Sequence, residues 1–404
     1  MNILFLTIAP FNHFSESGIY ADLMRKFRDE GHNVTIVSTV ERRFKKSTRL
    51  IEDNGINILR VKTLNLQKTN VIEKGIGSII MEYQFCNAIK KRLSRIQFNL
   101  VLYSTPPITF TKVIKTIKKR DSAKSYLLLK DIFPQNAVDL GMMKDGGVWH
   151  KFFKKKEKDL YMVSDYIGCM SPANVEYVKN HNTDILPEKI EMCPNSISLT
   201  NNQITEDTKS AIRERYKIPT ENIMVFIYGG NLGKPQGLDF LLQVLKSNNN
   251  KTDRFFVIVG SGTEYSKVEQ WFRTYRFSNA ILIPALPKEE YDQIVRICDV
   301  GLIFLDPCFT IPNYPSRLLS YLENKMPVIA ATDAVSDIGK IAEENHYGFY
   351  SLNGDIIGFN QQIEKFIKNR FLIEEMGENG FRYLKENFTV DQSYNIIMKH
   401  FCEC

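Results

Sequence analysis

Three short stretches in the second half of the chain hold residue types suited to gripping a phosphate: Gly229-Gly230-Asn231-Leu232-Gly233, Gly260-Ser261-Gly262 and Pro315-Ser316-Arg317. With no Cβ at Gly229, Gly230 and Gly233, backbone N–H groups can approach an anion closely. Ahead of them the apolar run Ile223–Tyr228 reads as a strand; behind them Leu238, Leu241, Leu242 and Leu245 recur at helical spacing. A helix starting directly after the glycine turn points its unpaired N–H groups and positive dipole end at the same spot. Arg317 falls in the first turn of a further helix, with Pro315 suited to its first position, and a guanidinium fork beside backbone donors fits a diphosphate. Each loop alone is equally a structural turn; their order within one half of the chain is what points to a ligand. Neither glycine turn completes GxGxxG and no P-loop GxxxxGK[ST] occurs, which argues against a dinucleotide oxidoreductase.

These loops need strands to carry them. Short apolar runs alternate with helical stretches along the chain, the pattern of doubly wound parallel sheets, so the expected class is α/β with two Rossmann-like domains. Strands are expected at Asn2–Thr7, Val34–Thr39, Leu100–Ser104, Tyr126–Lys130 and Tyr166–Met170, with a long helix filling much of Val71–Ile96. After Cys193-Pro194-Asn195-Ser196 comes a polar, aperiodic linker, Thr200–Asp207. A second set of strands follows at Ile223–Tyr228, Phe255–Val259, Ala280–Ile283, Val300–Leu305 and Val328–Ala331. The expected domains are residues 1–196 and 197–386, facing a cleft, with a terminal helix over about 387–404 returning to the first. In such folds ligands bind at the carboxyl ends of parallel strands. The loops Gly260 to Gly262 and Pro284-Ala285-Leu286-Pro287 lie at such ends.

The chain has 404 residues, 43% of them hydrophobic and 25% charged, enough for two sizeable cores. Its seven cysteines form no CxxC pair, which suggests reduced thiols rather than a disulfide framework. Asn2–Thr7 lacks the flanks of a signal peptide and no apolar run reaches membrane-spanning length, so a cytoplasmic location is expected. The net charge of +7 is unevenly spread: residues 1–200 hold 31 Lys and Arg against 20 Asp and Glu. Clusters at Arg42, Arg43, Lys45, Lys46 and Arg49, and at Lys112 to Arg120, read as solvated faces or as an anion-binding surface. Within 149–160, Trp149, Phe152, Phe153 and Leu160 share one helical face, with Lys151, Lys154, Lys155 and Lys158 opposite and Lys156 near the apolar stripe. This is the pattern of a helix lying on a membrane surface; a core-packed helix with a basic outer face is the other reading.

The sequence resembles the retaining GT-B glycosyltransferases of the group-1 (family-four) type over nearly its whole length. The resemblance is carried by Gly18-Ile-Tyr-Ala-Asp-Leu23, Gly31-His-Asn-Val-Thr-Ile-Val37, Ser171-Pro172, Cys193-Pro-Asn195, Tyr228–Gly233, Val259–Gly262, Asp299–Ile303, Pro315–Leu319 and Met326–Ile329. Lys130–Gly141 and Asn231 with Gln236–Asp239 look like the branch containing bacterial O-antigen and capsule L-fucosaminyltransferases. The resemblance implies a nucleotide-diphosphate sugar, UDP-linked, as substrate, with no cofactor, metal or nucleic-acid partner. The acceptor it implies is an undecaprenyl-pyrophosphate-linked glycan at the inner face of the cytoplasmic membrane.

By the same resemblance Gly230, Asn231, Gly233 and Gln236 face the diphosphate, Pro315, Ser316 and Arg317 form a second phosphate-facing loop, and Gly260 to Gly262 with Ala285 to Pro287 flank the nucleobase. Gly18 lies in the loop facing donor and acceptor. Asp131 matches an acidic position at the cleft edge, or is a helix N-cap ahead of Phe133-Pro134; Asp131 or His13 is a candidate to assist proton transfer. Two departures stand out. Asn231 and Gln236 replace the usual Arg and Lys, leaving Lys234 and Arg317 to supply positive charge. The family's paired glutamates align with Pro312 and Ser320, and Glu323, one turn beyond Ser320, is the candidate substitute. Loss of those glutamates keeps a non-catalytic nucleotide-sugar-binding subunit in view, and the shared architecture keeps a non-hydrolysing epimerase. No DxD triplet supports a metal-dependent alternative.

Overall fold

The expected alternation of strands and helices is present in the computed structural model, which describes residues 1–9, 11, 18–65, 71–200, 204–220 and 223–401, those of 71–76 by their backbone alone. His13, Cys402 and Cys404 lie outside the described residues. The chain divides into two units, Met1–Ser198 with Val390–Cys404, and Leu199–Thr389.

The first unit runs β1 (Asn2–Leu6), α1 (Ile19–Asp29), β2 (Asn33–Glu41), β3 (Arg49–Asp53), β4 (Ile56–Thr63), α2 (Val71–Arg92), β5 (Leu100–Ser104), α3 (Thr111–Asp121), β6 (Lys124–Leu128), α4 (Gln135–Asp139), α5 (Val148–Val163), β7 (Tyr166–Cys169), α6 (Pro172–His181) and β8 (Ile190–Met192). Its sheet has the order β3-β4-β2-β1-β5-β6-β7-β8. Every pairing is parallel except β3 with β4. β5 is buried along its length and β1 in all but its first residue, as strands covered on both faces must be. The sequence reading lacked β3, β4 and β8. The first two form a hairpin closed by Asn54 and Gly55, both at positive φ, with a polar, mostly exposed edge strand that gives no apolar run.

The second unit runs α7 (Glu206–Tyr216), β9 (Met224–Asn231), α8 (Leu238–Ser247), β10 (Arg254–Ser261), α9 (Tyr265–Tyr275), β11 (Ala280–Pro284), α10 (Lys288–Val295), β12 (Val300–Phe304), α11 (Arg317–Glu323), β13 (Val328–Thr332), α12 (Ile338–Glu344), β14 (Gly348–Leu352), α13 (Ile356–Lys368) and α14 (Phe371–Asn387). Its six strands are parallel in the order β11-β10-β9-β12-β13-β14. The strand order reverses at β9, so its carboxyl end lies at the switch point where open α/β sheets bind ligands. The expected linker ends early: Thr205 caps α7 by accepting from the Thr208 N–H. The last helix, α15 (Val390–Met398), belongs to the first unit. There Tyr394 packs edge-on against Phe27 of α1, and its hydroxyl meets His32 Nε2 at 3.0 Å.

One polar knot ties three elements of the first unit. The Asp165 carboxylate accepts from Lys118 Nζ at 2.7 Å, from the Ser125 N–H at 2.8 Å and from Ser125 Oγ at 2.9 Å. Burial opposes its charge, but Lys118 and Ser125 outweigh burial and hold its pKa below the ordinary value. Asp165→Ala is expected to cost about 2–3 kcal/mol at neutral pH, since it strands donors to a charged acceptor. A carboxylate with a depressed folded pKa stabilises above its unfolded value of about 3.9 and loses that contribution as pH falls through the folded value. Urea melts of wild type and variant should therefore differ at pH 7 and converge in acid; equal midpoints at pH 7 would refute the assignment.

Candidate functional site

Two glycine loops lie side by side at the switch point of the second sheet. β9 and β10 pair in parallel register, Gly230 opposite Gly260 and Asn231 opposite Ser261. A Cβ on Gly260 would sit 1.9 Å from the Gly230 carbonyl oxygen, and one on Gly262 2.2 Å from that of Leu232. The Leu232 N–H donates to Ser261 O at 2.9 Å, and its carbonyl accepts from the Glu264 N–H at 2.8 Å. Glycine at 260 and 262 is thus a packing requirement of one loop against the other. Gly230, at φ +116, adopts a conformation that disfavours a side chain, and Gly230 and Asn231 are exposed.

Behind these glycines stands an arginine in a ring of phenols. The Arg317 guanidinium lies 4.2 Å from the centroid of the Tyr228 ring and about 4 Å from where a Gly230 Cβ would be. Its Nη2 donates to Gln236 Oε1, which also accepts from the Tyr228 hydroxyl at 3.4 Å. Its Nη1 is buried with no hydrogen-bond partner among the described residues. Tyr321 Oη accepts from the Gly229 N–H at 3.2 Å, and Tyr291 closes over Gly229 so tightly that a Cβ there would meet its hydroxyl at 2.1 Å. Burial pushes the Tyr291 phenol up to about 12, so it stays neutral. Arg317, distant in sequence, is brought together with Gly230 and Gln236. Tyr291 and Tyr321 went unnoticed in the sequence because nothing local marks them.

Several expectations need correction. Strand β9 runs on through the glycines to Asn231 instead of ending at Tyr228. Gly233 then opens a 3-10 turn, Lys234–Gln236, and α8 begins only at Leu238. Its N-cap, Gly237, is buried at φ +55 against the Leu305 carbonyl and Asn353, whose Nδ2 donates to that carbonyl at 2.7 Å. Gly237 at the start of α8 is thus packed against protein, and a 3-10 turn separates that helix from the exposed glycines. Pro315 is not the first residue of its helix: Ser316 is the N-cap and Arg317 opens α11. Lys234 is exposed. Ala285 is exposed and Leu286 half-buried, in the loop after β11 at the sheet edge. Ser320 is half-buried, its carbonyl accepting from Asn324 Nδ2 at 2.8 Å. At the far end of α11, roughly 9 Å along the axis from Arg317, Glu323 Oε1 accepts from the Thr200 hydroxyl at 2.8 Å and N–H at 3.1 Å.

In the first unit Gly18 is the N-cap of α1, with extended backbone and no atom of the described residues within 4 Å of the place a Cβ would take. Its N–H donates at 3.0 Å to Asp22 Oδ1, a buried carboxylate that also takes the Ser198 N–H at 3.1 Å. Asp131 is no N-cap, since Pro134 occupies that position of α4. Its Oδ1 instead accepts from Asn136 Nδ2 at 2.7 Å. Beside it Lys130 Nζ donates to the Cys193 carbonyl at 2.8 Å, and burial lowers its pKa to about 8.

The aromatic stripe of α5 turns inward. Phe152 and Phe153 are half-buried, Phe153 meets Phe133 edge-on at 5.2 Å, and Leu160 is fully buried. Lys156 reaches Glu82 at 3.9 Å. Trp149 stands out at 60% exposed. No helix among the described residues is long and apolar enough to cross a membrane.

The fold is GT-B, and residues 208–383, most of the second unit, match the family described as glycosyl transferases group 1. Over 348 residues the chain is 20% identical to the probable glycosyltransferase WbjE of Pseudomonas aeruginosa, covering 83% of this chain and 81% of that one. Among solved structures it is similar to sucrose-phosphate synthase from Thermosynechococcus elongatus, with TM-score 0.76 and 14% identity over 99% of this chain and 98% of that one. It is likewise similar to HepE of Anabaena in complex with UDP, with TM-score 0.70 and 13% identity over 99% of both chains.

Proposed function

We propose that the protein is a retaining glycosyltransferase. Its second unit holds a UDP-linked sugar, and its first binds an undecaprenyl-pyrophosphate-linked glycan at the inner membrane surface, in O-antigen or capsule biosynthesis. N-acetyl-L-fucosamine is the sugar favoured by the likeness of Lys130–Gly141 and Gln236–Asp239 to the fucosaminyl branch. The observation that carries the reading is Arg317, whose Nη1 is buried with no hydrogen-bond partner among the described residues, beside the exposed, left-handed Gly230. Buried donors are normally satisfied, so such a donor at the switch point of a parallel sheet suits an anionic ligand. The match of this unit to group-1 glycosyltransferases and the UDP held by HepE support the choice of a nucleotide sugar.

Departure of UDP loads negative charge on its terminal phosphate, which a pre-placed guanidinium stabilises without reorganising. The anomeric carbon becomes oxocarbenium-like. The acceptor oxygen bonds to it on the face UDP leaves, and its proton passes to the departing phosphate oxygen, so configuration is kept. Asp131, anchored by Asn136, is assigned to the acceptor hydroxyl.

The test is incubation of the full chain with a panel of UDP-sugars, UDP-N-acetyl-L-fucosamine first, and a polyprenyl-pyrophosphate-linked glycan. UDP release with extension of the glycan, its anomeric configuration read by NMR, is the expected result. Donor binding without extension of any acceptor would indicate a binding subunit, and a changed sugar without acceptor an epimerase; either outcome overturns the proposal.

A further inference from the structure

On the outer side of α5, away from its aromatic stripe, a groove of about 530 Å³ runs between that helix and the loop His181–Ile185. Its helical wall carries Lys151, Lys154, Lys155 and Lys158, and Asp184 is the acidic residue across from them. Lys158 is paired with Asp184, and Lys154 with Glu157 at 2.7 Å. Lys151 and Lys155 have no ion-pair partner among the described residues, so the groove keeps a positive charge of its own. His150 also lines it. Its Nδ1 lies 2.9 Å from the Gly146 nitrogen and 3.1 Å from Asp145 Oδ1, and its Nε2 is buried with no hydrogen-bond partner among the described residues. At the same end of α5 sit three apolar side chains in the open: Met142 at 67%, Val148 at 83% and Trp149 at 60% exposure. A cationic slot suits a phosphate or diphosphate; exposed apolar side chains at the start of the same helix suit the acyl region below a headgroup.

We infer that this groove seats the phosphate headgroup of a membrane lipid while Met142, Val148 and Trp149 enter the bilayer edge. The membrane contact differs from the interfacial helix expected from the sequence: Phe152, Phe153 and Leu160 of the stripe pack against protein, and the lipid contact is made by the lysine face and the start of α5, where Trp149 of the stripe is exposed. The inference rests on the membrane reading proposed above for its setting, and it is independent of the donor chemistry.

The full chain is sedimented with phosphatidylcholine vesicles lacking or containing phosphatidylglycerol while tryptophan emission is recorded. Binding to the anionic vesicles with a blue shift that disappears in Trp149→Phe is expected. Lys151→Gln/Lys155→Gln should lower partitioning about 30-fold, at the usual contribution of a lysine near an anionic surface. Lys151→Arg/Lys155→Arg should retain it, and both variants should bind UDP like wild type, which separates failure here from failure of the donor site. Inorganic pyrophosphate should displace protein from vesicles more than chloride at matched ionic strength. Equal displacement would mean a diffuse surface field and no seat. Pyrophosphate binding with no vesicle binding would mean a soluble ligand, and unmoved emission would remove the apolar edge; each of these overturns the inference.

Discussion

Arg317→Ala is expected to weaken UDP binding roughly a hundredfold, the result of losing about 3 kcal/mol when one partner of a desolvated charge pair is removed. The effect falls on the diphosphate, so every UDP-sugar should lose alike; selective loss for one sugar would move the residue to a different role. Arg317→Lys keeps the charge and loses the fork and the flat stacking face over Tyr228, so an intermediate loss of about tenfold is expected. Stability without ligand should change little. A buried Nη1 with no partner among the described residues costs free energy, and deleting the guanidinium relieves that cost while giving up its contact with Tyr228 and its bond to Gln236 Oε1. The two nearly cancel, so the apo melting temperature should stay close to that of wild type while calorimetric UDP affinity falls. A sharp drop in apo stability with unchanged affinity would make Arg317 a structural cation and remove the central support for the donor site.

What the sequence revealed of this site, and what it hid, follows from distance along the chain. Local pattern sufficed for the parallel architecture, because strands buried on both faces are written as unbroken apolar runs such as Leu100–Ser104 and Val300–Phe304. It sufficed also for the glycine loops, since an exclusion as tight as that at Gly260 leaves only one residue type. The polar edge β3 carries no such run, yet Asn54-Gly55 between it and β4 is a strong hairpin signal that could have found both strands. Tyr291 and Tyr321 were beyond reach: each meets Gly229 only after a long excursion through other strands, and a tyrosine on an amphipathic helix looks the same whether it covers a core or a site. The reading of α5 shows the same limit. Periodicity established that Phe152, Phe153 and Leu160 share a face, but only packing shows that protein covers it.

The start of α8 illustrates a subtler error. A strand, a glycine turn and a helix in succession suggest that the helix dipole serves the ligand held by the turn. Here a 3-10 turn intervenes, and Gly237 takes its left-handed conformation to pass beneath Leu305 and Asn353. Gly237, at the positive end of α8, packs against protein. On the proposed reading, anion recognition then falls to Arg317 and to the exposed backbone of Gly230 and Asn231, which is why one arginine should matter so much.

Gly260→Ala should be the most damaging small substitution in the second unit. Its new methyl would lie 1.9 Å from the Gly230 carbonyl oxygen, a backbone atom of the neighbouring strand that cannot rotate aside as a side chain can. The parallel ladder must open at Gly230–Gly260 or the whole loop must shift, at a cost of about 3 kcal/mol or more. For a unit of this size that corresponds to a fall of about 10 °C in melting temperature. Displacement of Gly230 also disturbs the backbone beside Arg317, so UDP affinity should fall even well below the new melting point. Gly18→Ala supplies the contrast: with extended backbone and no atom of the described residues within 4 Å of the added methyl, it should lower the melting temperature only by the small cost of a poorer N-cap. Thermal melts of the two variants with and without UDP decide the matter. If Gly260→Ala melts like wild type and binds UDP normally, the two glycine loops are not packed as a rigid pair, and the site they frame for a diphosphate is lost with them.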